Sequence, residues 1–318
     1  MMKKWFCYIC FLGSIAWSCN ESEPLDCPDC DQDGPVIVEN DQLILIASKQ
    51  GDLLSEYTWQ DKQMMGLYLT KGFIGQHYQD DSLAYANIKA TMYGGLWILS
   101  PEEVILTKTP AVVYAYHPFK RIMDPTAMPV ETMTDTEYMY GTHLKPQKSV
   151  SKGYNVASVE MKHALSMIEV YVRKDKEFDN PAIVTGVNIV PANEQVQIAV
   201  EGTLNIGTGD IKPTKYGEIV REGLELELDK VYNDSNYVRL MALPREISDN
   251  EVLLQIEIAG STFSAALRDE HDWKQGMRNI YRITFTGETV VVDDVTILPW
   301  KDVELEGEIK DGKDNVKQ

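Results

Sequence analysis

The sequence contains no cysteine after residue 30, although it runs to 318 residues. A disulfide-stapled fold, a cysteine-rich zinc site and a cysteine nucleophile are therefore excluded from the body of the chain. Basic residues are also scarce, because 30 Lys and Arg stand against 49 Asp and Glu and give a formal charge of −19. Such an acidic surface repels phosphate backbones, so nucleic acid is not an expected partner.

The short motifs that mark common active sites are also missing. The sequence has no GxSxG elbow, P-loop, HExxH or strand-linked GxGxxG. None of its five histidines has a neighbour at the spacing of a preformed metal site; they are His77, His117, His143, His163 and His271. We therefore predict a protein that is not an enzyme and that uses neither a cofactor nor a metal ion.

The first 18 residues read as a signal peptide. A positively charged start precedes an apolar run from Trp5 to Trp17, which is too short for a permanent membrane helix. Residues 16–19 resemble a bacterial lipobox, so we predict cleavage before Cys19 and its lipidation for anchoring in the outer membrane. An ordinary secretory signal cut near Ser18 is the alternative.

Residues 19–35 are acidic and have little apolar content, as expected of a solvated tether. We interpret Cys27 and Cys30 as a local disulfide, because no second cysteine pair or nearby histidine completes a metal site. The DxDxDG pattern at 29–34 resembles the start of a calcium loop. Asn40 stands where that loop needs a glutamate, so calcium binding is the weaker interpretation.

The rest of the chain consists of short apolar or alternating runs separated by Gly, Pro, Asn and Asp, a pattern typical of antiparallel β-sandwiches. About fifteen such runs are too many for one small sandwich. We therefore predict an all-β protein with two tandem domains, at residues 36–154 and 155–302, followed by a charged tail at 303–318. The polar stretch 121–151 is expected to contain few strands.

Six segments together resemble the fimbrillin family, the subunits and accessory proteins of Bacteroidia fimbriae. They are MMGLYL at 64–69, VVYAYHPF at 112–119, TEYMYG at 136–141, VEMKHALSMIEVYV at 159–172, WKQGMRNIYRITF at 273–285 and ILPW at 297–300. The resemblance implies two transthyretin-like β-sandwich domains. It also implies a surface lipoprotein that serves adhesion as a stalk, tip or anchor subunit of a fimbrium, with a host or bacterial surface receptor as a further partner.

The same resemblance implies donor-strand exchange with other fimbrial subunits, in which a protease removes a first strand and a neighbour's strand fills the groove. The matching segment here has its apolar positions at Val36, Val38, Leu43, Leu45 and Ala47. Lys49 is the expected accessible processing site and Lys62 the second. The resemblance implies cleavage at arginine, but no arginine precedes Arg121, which fits a different protease or a subunit that is never cut, such as a base anchor.

A glycan-binding surface lipoprotein of a polysaccharide-utilisation system is the alternative function. It depends on Trp59, Trp97 and the tyrosines of region 57–93, whose rings would have to be exposed to stack on sugars. Tryptophans in or beside strands are more often packed in a core.

The lipid anchor can be tested at one atom, because Cys19→Ser removes the thiol that we expect to be acylated. Metabolic labelling with an alkyne analogue of palmitate should label the wild-type protein in the outer membrane and leave C19S unlabelled. C27S in the tether is the matched control and should be labelled normally. Undiminished labelling of C19S would exclude Cys19 as the lipid site.

Overall fold

The structure, a computed structural model, describes residues 41–50, 59–79, 85–101, 103–121, 124–233, 236–268 and 272–301. All regular secondary structure in these ranges is β-strand. The first eight strands are β1 (Ile44–Lys49), β2 (Met64–Thr70), β3 (Ile88–Tyr93), β4 (Leu96–Ser100), β5 (Val112–His117), β6 (Met128–Glu131), β7 (Met139–His143) and β8 (Val156–His163). The other ten are β9 (Ser166–Lys174), β10 (Ile183–Pro191), β11 (Ala199–Leu204), β12 (Ile211–Tyr216), β13 (Ile219–Glu227), β14 (Val238–Ala242), β15 (Val252–Ile258), β16 (Ser261–Ala266), β17 (Met277–Phe285) and β18 (Val290–Pro299). The described part of the chain provides no helix that could cross a membrane.

Hydrogen bonds join these strands into four sheets. A seven-stranded sheet has the order β1-β8-β7-β5-β2-β3-β4. Two four-stranded sheets have the orders β13-β10-β15-β16 and β14-β9-β17-β18, and a small sheet has the order β12-β11-β6. Buried and more exposed residues alternate along strands such as β8 and β15, which turn one set of side chains toward a core.

Three apolar cores hold the sheets together. The first lies within the seven-stranded sheet and includes Leu45, Leu67 and Met161. The second lies between the two four-stranded sheets, which contribute Val170 and Leu254 among others, as in a β-sandwich. The third core combines residues from the first and second halves of the chain: Tyr68, Tyr116, Met128, Tyr138, Leu204, Met241 and Trp300 are among its members. Together these cores confirm the all-β sandwich fold that the sequence predicts.

The position of β8 bears on the predicted domain boundary at 154/155. β8 begins at Val156 but pairs with β7 and β1 in the seven-stranded sheet, so the chain changes sheets between β8 and β9. The described residues all lie within one compact unit, Ile37–Gln318. The division into two domains stays a prediction.

The stretch 121–151, where few strands are expected, contains two short strands, β6 and β7. β6 has only four residues and includes Pro129, so its sequence carries little strand signal. The sequence pattern predicts antiparallel pairing, but two strand pairs are parallel: the pair of β1 with β8 and the pair of β9 with β17. Each joins strands far apart in the sequence, as parallel pairing requires.

Gly141 of β7 faces the backbone of β8 with no room for a side chain. A Cβ atom at this position would lie 2.1 Å from the carbonyl oxygen of Glu160, well inside contact distance. Only glycine therefore fits without moving the backbone of one of the two strands.

Gly141→Ala should lower the free energy of unfolding by about 1–3 kcal/mol, the usual cost of overpacking. Gly217→Ala is the matched control, because its new Cβ would meet Val200 at an ordinary 3.6 Å. That variant should change stability by less than about 0.5 kcal/mol. Urea denaturation measures both values, and equal effects would contradict the close β7–β8 approach.

Candidate functional site

β1 stands at the end of the seven-stranded sheet in the order of the described strands. It pairs in parallel with β8, so that Ile44 lies opposite Val156 and Lys49 opposite Met161. An edge strand of a sheet shares its ladder with one neighbour, whereas a central strand shares it with two. β1 is therefore held by fewer backbone hydrogen bonds than the strands inside the sheet.

The residues just before β1 have a second backbone contact. The Leu43 N–H donates to the Val104 carbonyl at 2.8 Å, and the Leu106 N–H donates to the Asp41 carbonyl at 2.8 Å. The start of the described chain thus lies between β8 and the segment that follows β4.

Side chains of β1 alternate between core and solvent. Leu45 and Ala47 are each 5% exposed, whereas Ile46 between them is 51% exposed. Leu43, just before the strand, is buried as well. Three of the residues predicted for the exchanged strand therefore face the core, and Val36 and Val38 lie outside the described residues.

Lys49 continues the inward row of β1 but ends it with a charge. It is only 4% exposed. Its Nζ lies 3.3 Å from both carboxylate oxygens of Glu137 and 4.9 Å from the centre of the Trp59 ring. A buried ammonium is costly unless it is paired, so these contacts make its burial tolerable.

Glu137 connects Lys49 to the far end of the described chain. Its Oε1 lies 3.1 Å from Nδ1 of His163, the last residue of β8. The imidazole of His163 stacks on the indole of Trp300, with ring centres 3.8 Å apart and planes 10° apart. The backbone N–H of Trp300 donates to the Gly276 carbonyl at 2.8 Å.

Strand register explains why these residues meet. Met161 is opposite Lys49 across the β1–β8 pair, and His163 follows Met161 by two residues on the same inner face. His163 is opposite Met139 across the β7–β8 pair, and Glu137 precedes Met139 by two residues. Side chains two residues apart on a strand share a face, so the inner face of the sheet ends in this charged group.

Trp59 adds a contact to the backbone of β1. Its indole N–H donates to the Ala47 carbonyl at 3.0 Å, and its ring packs edge-on against Trp97 and His117. We call Lys49, Trp59, Glu137, His163 and Trp300 the β1-end cluster. Four of its five side chains are buried, and its ion pair joins β1 to the segment before β7.

The predicted processing sites have different surroundings. Lys49 was expected to be accessible, and this expectation is wrong, because strand register turns its side chain inward onto Glu137. Lys62 is exposed in the turn before β2, where its φ is 72°. Proteolytic processing itself stays a prediction.

The predictions for the N-terminal segment lie outside the described residues. These are lipidation at Cys19, the Cys27–Cys30 disulfide and the calcium-like pattern at 29–34. Among the described residues, no three His, Cys, Asp or Glu side chains come together as a metal site would require.

Histidines and tryptophans of the described chain serve mainly in packing. Burial lowers the pKa of His143, whose Nε2 accepts the Val113 N–H at 3.0 Å. His117 and His163 are buried, and His77 is exposed. Trp59 and Trp97, on which a sugar platform would depend, are 7% and 9% exposed.

Solved structures with a similar fold come from several Bacteroides species. A candidate cell adhesion protein from Bacteroides uniformis is 16% identical with a TM-score of 0.60, over 82% of this chain and 100% of that one. Another from Bacteroides ovatus is 11% identical with a TM-score of 0.61, over 83% and 99%. A fimbrial protein from Bacteroides vulgatus is 11% identical with a TM-score of 0.52, over 82% and 100%. At these identities the likeness shows the fold alone.

The sequence also matches a protein family directly. No curated protein matches the chain, but residues 54–300 match the family described as fimbrillin-like, a family of fimbrial structural proteins rather than enzymes. This match covers well over half of the chain and includes the strands from β2 to β18. The chain therefore belongs to the fimbrillin-like family.

Proposed function

We propose that this protein is a subunit or accessory protein of fimbriae, carried to the cell surface as a lipoprotein through Cys19 and serving adhesion. Family membership supports the place in fimbriae. The structural neighbours described as candidate cell adhesion proteins or as a fimbrial protein agree with the adhesive role. The signal-like start and the lipobox support the anchor in the outer membrane.

The position of β1 is the observation that best supports a proposed step of fimbrial assembly. We propose that the segment containing β1 is removed and that a strand from a neighbouring subunit takes its place. β1 fits this role because it stands at an edge, pairs with β8 and turns Leu45 and Ala47 into the core. A replacement strand with the same alternation would form the same contacts, as in β-strand addition.

The energetic cost of an empty groove favours the exchange. Loss of β1 would unpair one edge of β8 and expose the apolar residues beneath Leu43 and Leu45. Burying one leucine side chain contributes about 1.5–3 kcal/mol, so the open groove is strongly apolar and selects a partner strand. An unpaired β8 edge would also recruit backbone donors and acceptors.

The accessibility of the two lysines favours Lys62 as the processing site in the folded protein. Lys62 lies in an exposed turn, whereas cleavage after Lys49 requires β1 to open first. Cleavage after Lys62 would detach Trp59 together with β1. The N-terminal end of the processed subunit would then lie directly before β2.

Burial of the tryptophans counts against the alternative of glycan binding. Trp59 and Trp97 pack on each other with ring centres 5.2 Å apart, inside the first core. Neither ring can stack on a sugar without opening that core.

Truncation tests the exchange mechanism. We expect protein lacking residues 19–49 to form oligomers that resist SDS, while the full mature chain from Cys19 stays monomeric. The matched control lacks only residues 19–40 and keeps β1 whole, so it should also stay monomeric. Adding a synthetic peptide of residues 41–50 should refill the groove and suppress the oligomers.

Two outcomes would count against this mechanism. The first is a folded, monomeric protein after removal of residues 19–49. The second is equal oligomerisation of the control that retains β1. Circular dichroism and peptide binding separate a folded protein with an open groove from one that has unfolded.

A further inference from the structure

Lys49 is an unusual residue for an inward position on an edge strand. The two other inward side chains of β1, Leu45 and Ala47, are apolar and contribute only contact and burial. Lys49 instead places an ammonium group within 3.3 Å of a carboxylate whose side chain is 22% exposed. The inner face of β1 is therefore held at one end by a specific partner, Glu137, rather than by apolar contact alone.

The partner of Lys49 is shared with a third residue. Glu137 Oε1 lies 3.3 Å from Lys49 Nζ and 3.1 Å from His163 Nδ1. His163 is 3% exposed and Trp300, on which it stacks, is 7% exposed. The Glu137 carboxylate thus pairs with the Lys49 ammonium of β1 on one side. On its other side lies the buried stack of His163 and Trp300.

We propose that Lys49 and Glu137 form a latch that retains β1, and that the latch reaches through His163 to Trp300, so that opening of β1 loosens the chain at Trp300. This inference rests on the proposed removal of β1 and names the residues that regulate it. Lys49 acts as a positioning residue for the strand, and Glu137 is its fixed counterpart on the approach to β7.

The physical basis of the latch is the cost of an unpaired charge. When β1 leaves, Glu137 keeps its His163 neighbour but loses the Lys49 ammonium, and water takes the place of that ammonium beside the carboxylate. Water that enters beside Glu137 also reaches the His163–Trp300 stack, since His163 is its direct neighbour. The Trp300 N–H bond to the Gly276 carbonyl then opens more often.

The experiment measures local opening in the full mature chain, without requiring assembly. Hydrogen–deuterium exchange is followed at the amides of β1, at the Trp300 amide, and in the β10–β15 pair as a distant reference. The variants are Lys49→Met, which keeps the length of the side chain, Glu137→Gln, and the double variant. Glu137→Gln keeps the size of the side chain but removes its charge, so it leaves the buried Lys49 ammonium without its carboxylate. It should therefore also speed exchange of the β1 amides, and it carries the test if K49M does not fold.

Lys152→Met is the matched control. Lys152 pairs with Asp41 just before β1 at 2.6 Å, but its side chain is 54% exposed and that of Asp41 is 25% exposed. Exposed ion pairs contribute little to stability. K152M therefore removes an ion pair from the same end of the chain. It leaves a carboxylate about as exposed as that of Glu137, 25% against 22%, but the lysine that it removes is solvated rather than buried.

We expect K49M to speed exchange of the β1 amides at least tenfold and to speed exchange at Trp300, with the β10–β15 amides unchanged. K152M should change the exchange rate of the β1 amides and of the Trp300 amide by less than threefold. If the two residues act independently, the increases in the β1 exchange rate caused by K49M and E137Q should multiply in the double variant. Because they act as a pair, we expect the β1 amides of K49M/E137Q to exchange at least tenfold more slowly than that product.

Three results would overturn the latch. One is an effect of K49M on β1 no larger than that of K152M, and another is single effects that simply multiply. The third, Trp300 exchange that stays constant while β1 opens, would overturn the connection to the chain end. Fimbrial assembly after truncation is a separate measurement, so failure of the latch and failure of strand exchange can be told apart.

Discussion

Pairing of the β8 edge is the constraint around which the first part of the chain is arranged. With β1 in place, β8 is bonded on both sides, to β1 and to β7. The same contact closes the first core, because Leu45 and Ala47 cover it from this edge. A single strand therefore satisfies backbone hydrogen bonding and apolar burial at this edge at the same time.

The Lys49–Glu137 pair adds register to this arrangement. A slip of β1 by one residue would turn Lys49 outward and bring Ile46 inward, since successive side chains on a strand face opposite ways. An apolar residue at Lys49 would tolerate that slip more easily than a cation that must find Glu137. A buried ion pair often contributes less to stability than apolar packing of the same volume. We infer that its main contribution here is to fix one alignment of an edge strand.

The all-β class could be predicted because the alternation of apolar and polar residues is visible within each short segment. In VLLQIEI of β15, for example, buried and partly exposed residues alternate. The β1-end cluster could not, although Glu137, His163 and Trp300 lie in segments that carry the family resemblance. Lys49 and Glu137 are 88 residues apart, and their contact depends on the register of two strand pairs. A lysine at a strand end normally reaches solvent, so the sequence alone placed Lys49 outside.

From the parallel pairing of β1 with β8 we also expect an order of folding. β1 is the first described strand to be synthesised, but Ile44 can pair only after Val156 of β8 has been synthesised. Such a distant contact closes a long loop and forms slowly compared with the hairpin of β3 and β4. A chain that has assembled β8 on β7 but has not yet docked β1 presents an unpaired β8 edge. The edge of β8 that strand exchange would use is therefore also unpaired at one stage of folding.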